Sequence, residues 1–82
     1  MLKTIIIKFE DIYIPASRKA EHDPAKVDAI VDEMMEGNKQ RPVKVRQGKG
    51  RYVLTEGINR LEACKIVGDT GIEAYIVQAQ KH

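Results

Sequence analysis

The spacing of the apolar residues changes at Gly57, and this change constrains the fold more than any other feature of the sequence. Residues 51–55 are predicted to form a strand, in which Tyr52 and Leu54 share one face. After Gly57 the apolar residues recur at helical spacing, at Ile58, Leu61, Cys64 and Val67. Gly57 therefore marks a turn that joins a strand to a helix.

A turn of this kind is a candidate anion site. It exposes free backbone N–H groups and the positive end of the helix dipole, and both favour a negative charge. Gly57 has no side chain, so a phosphate can approach its backbone closely. Arg60 follows about one helical turn later, where its guanidinium can form two hydrogen bonds to phosphate oxygens. The alternative is a plain turn followed by a solvated arginine.

Length and composition predict one folded domain over residues 1–82. Hydrophobic residues make up 43% and charged residues 32%, which is typical of a globular chain. The apolar runs are too short to span a membrane or to form a signal peptide, so we expect a cytoplasmic protein with no membrane partner. The single cysteine cannot form an intramolecular disulfide. Because the net charge is only +2, we expect weak, non-specific DNA binding at most, although a local basic patch could form.

The remaining periodicity predicts the elements on either side of this turn. Strands are expected over residues 2–9, 43–46, 51–55 and 72–77, and helices over 24–36 and 57–67. Asp23 is a good N-cap, Pro24 suits the first helical position, and Gly37 is the expected stop. Residues 10–13 are predicted as a short helical turn, and residues 18–22 as a polar loop. The result is a small α/β or α+β domain, with a mixed sheet and two main helices packed on it.

Three further residues are candidates for chemistry or for a structural role. Glu56, just before the turn, could hold Mg²⁺ at a phosphate or act as a general base, or it could be an exposed glutamate at a strand end. Lys26 could add a positive charge if the N-termini of the two helices converge. Cys64 falls on the apolar stripe of the second helix, which indicates a buried structural thiol.

Three segments of the chain carry a resemblance to a known family. Residues 23–32 resemble the first helix of sulfiredoxin, and residues 40–46 resemble the Gln-x-Pro-x-x-Val-Arg segment of ParB. Residues 57–63 fit the Gly-x-x-Arg-x-x-Ala phosphate motif of ParB. From residue 5 to residue 77 the chain thus resembles the ParB N-terminal/sulfiredoxin superfamily.

The resemblance implies roles for several residues of this chain. In ParB the second segment contacts a cytidine nucleotide, which implies that Gln40 and Arg46 lie near the base and sugar. The third segment implies that Gly57, Asn59 and Arg60 hold the phosphates, with Lys26 as a further candidate. The implied ligand is CTP or ATP, with Mg²⁺ as a candidate companion.

The chain also departs from the family at informative positions. Ile58 and Asn59 stand where sulfiredoxin has its catalytic cysteine and a histidine, which argues against repair of cysteine sulfinic acid. ParB has Glu-Arg at these two positions, so this chain lacks one arginine of the phosphate motif. A second phosphate motif and a helix-turn-helix domain, which follow in ParB, are not expected within these 82 residues. Glu56 matches an acidic residue that some related amino-acid kinases carry before the glycine.

These observations leave three hypotheses open. The first is a stand-alone ParB-like module that binds a nucleotide and regulates or partners a DNA-associated system, with a DNA-binding protein as a candidate partner. The second is a small Mg²⁺-dependent kinase, ATPase or nuclease that uses Glu56. The third is a scaffold that kept the fold and lost the ligand.

Overall fold

The computed structural model describes residues 3–78, which form one five-stranded sheet and three helices. The strands are β1 (Thr4–Lys8), β2 (Ile12–Tyr13), β3 (Val43–Gln47), β4 (Tyr52–Glu56) and β5 (Gly71–Val77). The helices are α1 (Ala16–Lys19), α2 (Pro24–Met35) and α3 (Ile58–Ile66), and a single 3₁₀ turn spans Phe9–Asp11. Within this described part, no helix is long and apolar enough to span a membrane.

The sheet is mixed, as predicted. Its strand order is β1-β5-β3-β4-β2. The pairs β1–β5 and β3–β4 are antiparallel, whereas β3–β5 and β2–β4 are parallel. The order of elements and the mixed pairing confirm the predicted α+β architecture.

The helices form a layer on one face of the sheet. Helix α3 packs on β3 and β5, and α2 packs mainly on α3. The prediction that both helices pack directly on the sheet therefore holds for α3. Helix α2 packs mainly against α3 instead of the sheet. The beginning and end of α2 are as predicted: the Asp23 side chain accepts a hydrogen bond from the backbone N–H of Ala25 at 3.0 Å, and Gly37 follows the helix with φ of +88°.

We call the face of the sheet that carries the helices the inner face. The core lies between this inner face and α3. From α3 it includes Ile58, Leu61 and Cys64, as the helical spacing predicted. The strands contribute Ile7, Ile12, Val43, Val45, Leu54, Ile72 and Ala74. Val67 does not belong to this core, contrary to the prediction, because α3 ends at Ile66 and Val67 is its exposed C-cap.

The N-terminal third differs from the prediction in three places. The first strand ends at Lys8, since Phe9 begins the 3₁₀ turn, and the predicted Leu2 lies outside the described residues. Ile12 and its neighbour form β2 rather than a helical turn, because they pair with β4 forty residues later. The predicted polar loop contains the four-residue helix α1. Each of these elements is too short to show a period in the sequence.

Removal of the Leu61 side chain tests the core. Leu61 is 1% exposed at the contact between α3 and the sheet. Leu61→Ala should lower the free energy of unfolding by about 2–5 kcal/mol, measured by urea denaturation. Ile66→Ala is the matched control, because Ile66 lies on the same helix and is 62% exposed. Equal losses in the two variants would contradict this assignment of the core.

Candidate functional site

The turn between β4 and α3 requires a glycine for steric reasons. Gly57 has φ of +109°, in the left-handed region that side chains disfavour. A Cβ at this position would lie 2.6 Å from Cγ1 of Val43, which is fully buried in β3. The fold alone therefore demands glycine here, and Gly57 also lines a pocket at the surface.

The N-terminus of α3 has backbone donors that the helix does not use. Leu61 donates the first helical hydrogen bond, to the carbonyl oxygen of Gly57 at 3.0 Å. The amides of Ile58, Asn59 and Arg60 precede it and have no acceptor within the helix. Within residues 3–78 no side chain caps this terminus, whereas Asp23 caps α2. The end of α3 thus presents the arrangement that binds anions in proteins.

A pocket of about 380 Å³ lies in front of this helix end. Helix α2 lines it with Lys26, Ala29 and Ile30, and the turn lines it with residues 57–60. The two helix N-termini therefore converge, which is the condition under which Lys26 could act. The Oδ1 atom of Asn59 accepts a hydrogen bond from the backbone N–H of Asp23 at 2.8 Å and so joins the two helix starts.

Arg60 extends from α3 towards the beginning of β3. Its Nη1 donates to the carbonyl oxygen of Pro42 at 2.8 Å and to that of Arg41 at 3.4 Å. A guanidinium has five N–H donors, so these bonds orient the head and leave donors for a ligand. Arg60 lines the pocket at the end of α3 and also two adjoining hollows.

The two residues implied to contact a nucleoside lie in different places. Gln40 lines a groove that Arg60 also lines, and its Nε2 donates to the Glu33 carboxylate at 3.0 Å. Arg46 is exposed on β3 and alternates with the buried Val45. Its side chain therefore lies on the opposite face of the sheet from α3. The structure places Gln40 in a groove that shares Arg60 with the pocket, and it does not bring Arg46 to either.

Glu56 lies at the edge of the same region. Its Oε2 is 3.3 Å from Nζ of Lys44, and both side chains are about half exposed. Together with Arg60 they line a cleft of about 310 Å³. Among residues 3–78 there is no group of three or more His, Cys, Asp or Glu that could hold a metal ion. The donors present fit Mg²⁺ only if phosphates and water complete its coordination, as is usual for this ion.

Arg18 supports the turn and was not singled out from the sequence. Its Nη1 donates to the carbonyl oxygen of Thr55 at 2.9 Å, and its Nη2 lies 3.3 Å from Oε2 of Glu21. Arg18 thus ties α1 to the end of β4, two residues before Gly57. The sequence gives no signal for this bond, because it joins a four-residue helix to a strand 37 positions later.

Cys64 is a buried thiol that faces Asp69. It is 7% exposed in the core beside Leu61. Burial, which has the largest effect, the negative charge of Asp69 and a hydrogen bond to Asp69 together raise the pKa of the Cys64 thiol to about 11. At neutral pH the thiol is therefore protonated and poorly nucleophilic.

The chain is similar to known proteins in its fold rather than in its sequence. No family model matches the chain, and no curated protein matches it. Among solved structures, sulfiredoxin from Arabidopsis thaliana is 26% identical with a TM-score of 0.80, covering 94% of this chain and 86% of that one. ParB from Caulobacter crescentus, complexed with CTP-gamma-S, is 14% identical with a TM-score of 0.76. A free serine kinase in complex with AMP is 12% identical with a TM-score of 0.73.

These similarities show that the chain has a ParB/sulfiredoxin-like fold. The similar region covers 96% of this chain but 46% of the ParB chain, and 93% of this chain but 31% of the kinase chain. Sulfiredoxin matches over most of its length. The predicted resemblance is thereby confirmed at the level of the fold.

Substitution of Gly57 tests whether the turn is sterically constrained. Gly57→Ala adds both a strained φ and a clash with Val43, so it should cost more than the ~1–2 kcal/mol expected of a left-handed backbone alone. Gly50→Ala is the control, because Gly50 also has a positive φ but no atom within 4 Å of an added Cβ. Urea denaturation measures both. Equal costs would show that the contact with Val43 is unimportant.

Alkylation rates test the environment of the cysteine. Because its pKa is about 11, Cys64 should react slowly with iodoacetamide at pH 8 and progressively faster up to pH 11. A Cys64→Ala, Ile66→Cys double variant places a single thiol at an exposed position of the same helix. The thiol of this variant should react faster than native Cys64 at pH 8, and its reaction rate should reach a plateau at a lower pH. Rapid labelling of native Cys64 at neutral pH would contradict the buried assignment.

Proposed function

We propose that this domain binds a nucleotide whose phosphates lie at the N-terminus of α3. The observation that carries the proposal is the uncapped helix end at Gly57, which opens into a pocket together with Lys26 and Arg60. Backbone amides, a helix dipole and two cations all favour an anion at this point. The pocket volume of about 380 Å³ lies within the range of small-molecule sites.

Each residue of the pocket has a distinct part in the proposal. Gly57 allows close approach of the phosphate, and the amides that follow it donate hydrogen bonds. Arg60 binds phosphate oxygens through the donors that Pro42 does not occupy. The side chain of Asn59 is already bonded to the backbone of Asp23, so Asn59 contributes its backbone N–H and holds the two helices in place.

The nucleoside is proposed to lie in the groove that continues from Arg60 past Gln40. Gln40 can offer its amide to a base or sugar if it exchanges its bond with Glu33. Arg46 lies on the other face of the sheet, so we place Gln40 rather than Arg46 against the nucleoside. The structural neighbours that hold CTP-gamma-S and AMP support CTP or ATP as the ligand.

We further propose that the module regulates or partners a DNA-associated, cytoplasmic system. Its similarity to ParB, a chromosome-partitioning protein, supports this role. In this role a DNA-binding protein would supply sequence-specific recognition, and nucleotide occupancy of the α3 pocket would control the association.

A second candidate is Mg²⁺-dependent phosphotransfer or nucleotide hydrolysis that uses Glu56. The favouring observation is that Glu56 and Arg60 line one cleft, directly beside the turn. Similarity to a free serine kinase also supports it. In this function Glu56 would first give up its ion pair with Lys44. It would then either hold the metal ion together with the phosphates or accept a proton from the attacking group.

Replacement of Arg60 tests the phosphate site. Arg60→Ala should weaken binding of CTP or ATP by about 1.5–3 kcal/mol, the typical worth of a hydrogen bond to a charged group, which corresponds to roughly tenfold or more in Kd. Isothermal titration with CTP, ATP and GTP, with and without Mg²⁺, measures this. Lys65→Ala, which removes a cation from the other end of α3, is the control. Wild-type affinity of Arg60→Ala for every nucleotide would contradict the proposal.

The Glu56→Gln variant separates the two candidate functions. In a binding module it should leave nucleotide affinity unchanged or raise it, since it removes a negative charge near the phosphates. In a Mg²⁺-dependent enzyme it should abolish release of phosphate or transfer to an acceptor while thermal unfolding stays as in wild type. A phosphate-release assay at saturating nucleotide distinguishes these results.

A further inference from the structure

The positive charge of the chain is concentrated in the β3–β4 hairpin. Residues 41–55 contain no carboxylate and carry five cations, Arg41, Lys44, Arg46, Lys49 and Arg51. Because the whole chain has a net charge of only +2, the remainder is net acidic. The overall charge of the chain is therefore modest, although this segment is strongly basic. A strongly basic segment is typical of proteins that contact a polyanion.

Part of this charge lies on the face of the sheet opposite α3, here called the outer face. Arg46 of β3 is beside Val53 of β4, and Val53 is beside Tyr13 of β2. Lys44 is beside Tyr75 of β5. Residues paired across neighbouring strands point to the same face, and here they alternate with core residues of the inner face.

Two tyrosines flank the cations on the outer face. Tyr13 is 44% exposed, and the guanidinium of Arg51 lies 4.1 Å from the centre of its ring. Tyr75 is half-buried on the other side of β3. The two rings are three strands apart, which is about 14 Å across the sheet at the usual strand spacing, and Tyr75 is two residues along β5 from the row that contains Tyr13. Lys44 and Arg46 lie between them.

The carboxylates on this face leave two arginines available. Glu56 is paired with Lys44, and Glu73 accepts a hydrogen bond from Thr4 at 2.6 Å. Among the described residues, Arg46 and Arg51 form no salt bridge. The available charge therefore lies close to Tyr13, at the β2 side of the sheet.

We propose that the outer face binds single-stranded nucleic acid, with Tyr13 and Tyr75 as stacking surfaces and Arg46 and Arg51 as phosphate contacts. Exposed rings that alternate with cations are the means by which proteins hold single strands without reading their sequence. The planar guanidinium of Arg51 can itself carry a stacked base. A duplex keeps its bases stacked inside, so it can use only the cations. A single strand can use both.

The part of this surface around Tyr13 and Arg51 is separate from the proposed nucleotide pocket, whereas Lys44 and Tyr75 line the cleft that Arg60 also lines. The pocket opens at the N-terminus of α3 on the inner side, whereas Tyr13 and Arg51 belong to the outer face at the far end of the hairpin. Substitutions at Tyr13 and Arg51 can therefore be assayed for both ligands, and failure of one proposal does not imply failure of the other.

The experiment measures fluorescence anisotropy of a labelled twelve-residue oligothymidylate and of a labelled duplex of the same length. In 50 mM salt the single strand should bind more tightly than the duplex. Tyr13→Leu should weaken binding of the single strand about tenfold, the typical effect of losing one stacking ring, and Tyr13→Phe should restore it. Arg51→Ala should lower the slope of log K against log salt by about 0.7, as expected for one phosphate contact to a single strand.

Lys65→Ala is the matched control, since it removes the same charge from α3 and should leave binding of the single strand unchanged. Titration with ATP should be unaffected in Tyr13→Leu and Arg51→Ala. The proposal is overturned by undetectable binding of the single strand in 50 mM salt. Equal affinity for the single strand and the duplex overturns it too. So do wild-type affinity of Tyr13→Leu and an equal loss in Lys65→Ala.

Discussion

The close contact between Gly57 and Val43 is the constraint on which the rest of the structure depends. Val43 begins β3 and is fully buried, and the backbone of Gly57 lies directly against its side chain. Only a residue without a Cβ allows this approach, so α3 begins immediately at the end of β4. This fixes where the free amides of α3 point, and it brings Arg60 to the carbonyl oxygen of Pro42, one residue before Val43.

Strand β3 connects this core contact to the outer surface. Val43 and Val45 point inward to α3, while Lys44 and Arg46 point outward. One short segment therefore supports the candidate phosphate turn on one side and carries the basic surface on the other. The same alternation explains why Arg46, which was expected beside a nucleoside, lies away from the pocket.

Local sequence signals predicted most of the fold, and long-range contacts account for what they missed. The change of period at Gly57 and the Asp23-Pro24 start each depend on adjacent residues, so they could be read directly. The strand that contains Ile12 could not, because two residues show no period and its partner is β4. The bond from Arg18 to the end of β4 and the position of Arg46 likewise depend on which elements meet in space.

The central claim is that the backbone amides at the beginning of α3 donate hydrogen bonds to a phosphate. It is tested most directly by ¹⁵N–¹H correlation spectra of the uniformly labelled protein during titration with ATP and with CTP. We expect the largest saturable shifts at the amides of residues 57–61 and at Lys26, at nucleotide concentrations where the signals of Tyr13 and Arg51 are unchanged. Saturable shifts that leave residues 57–61 unaffected, or no shifts with either nucleotide, would contradict it.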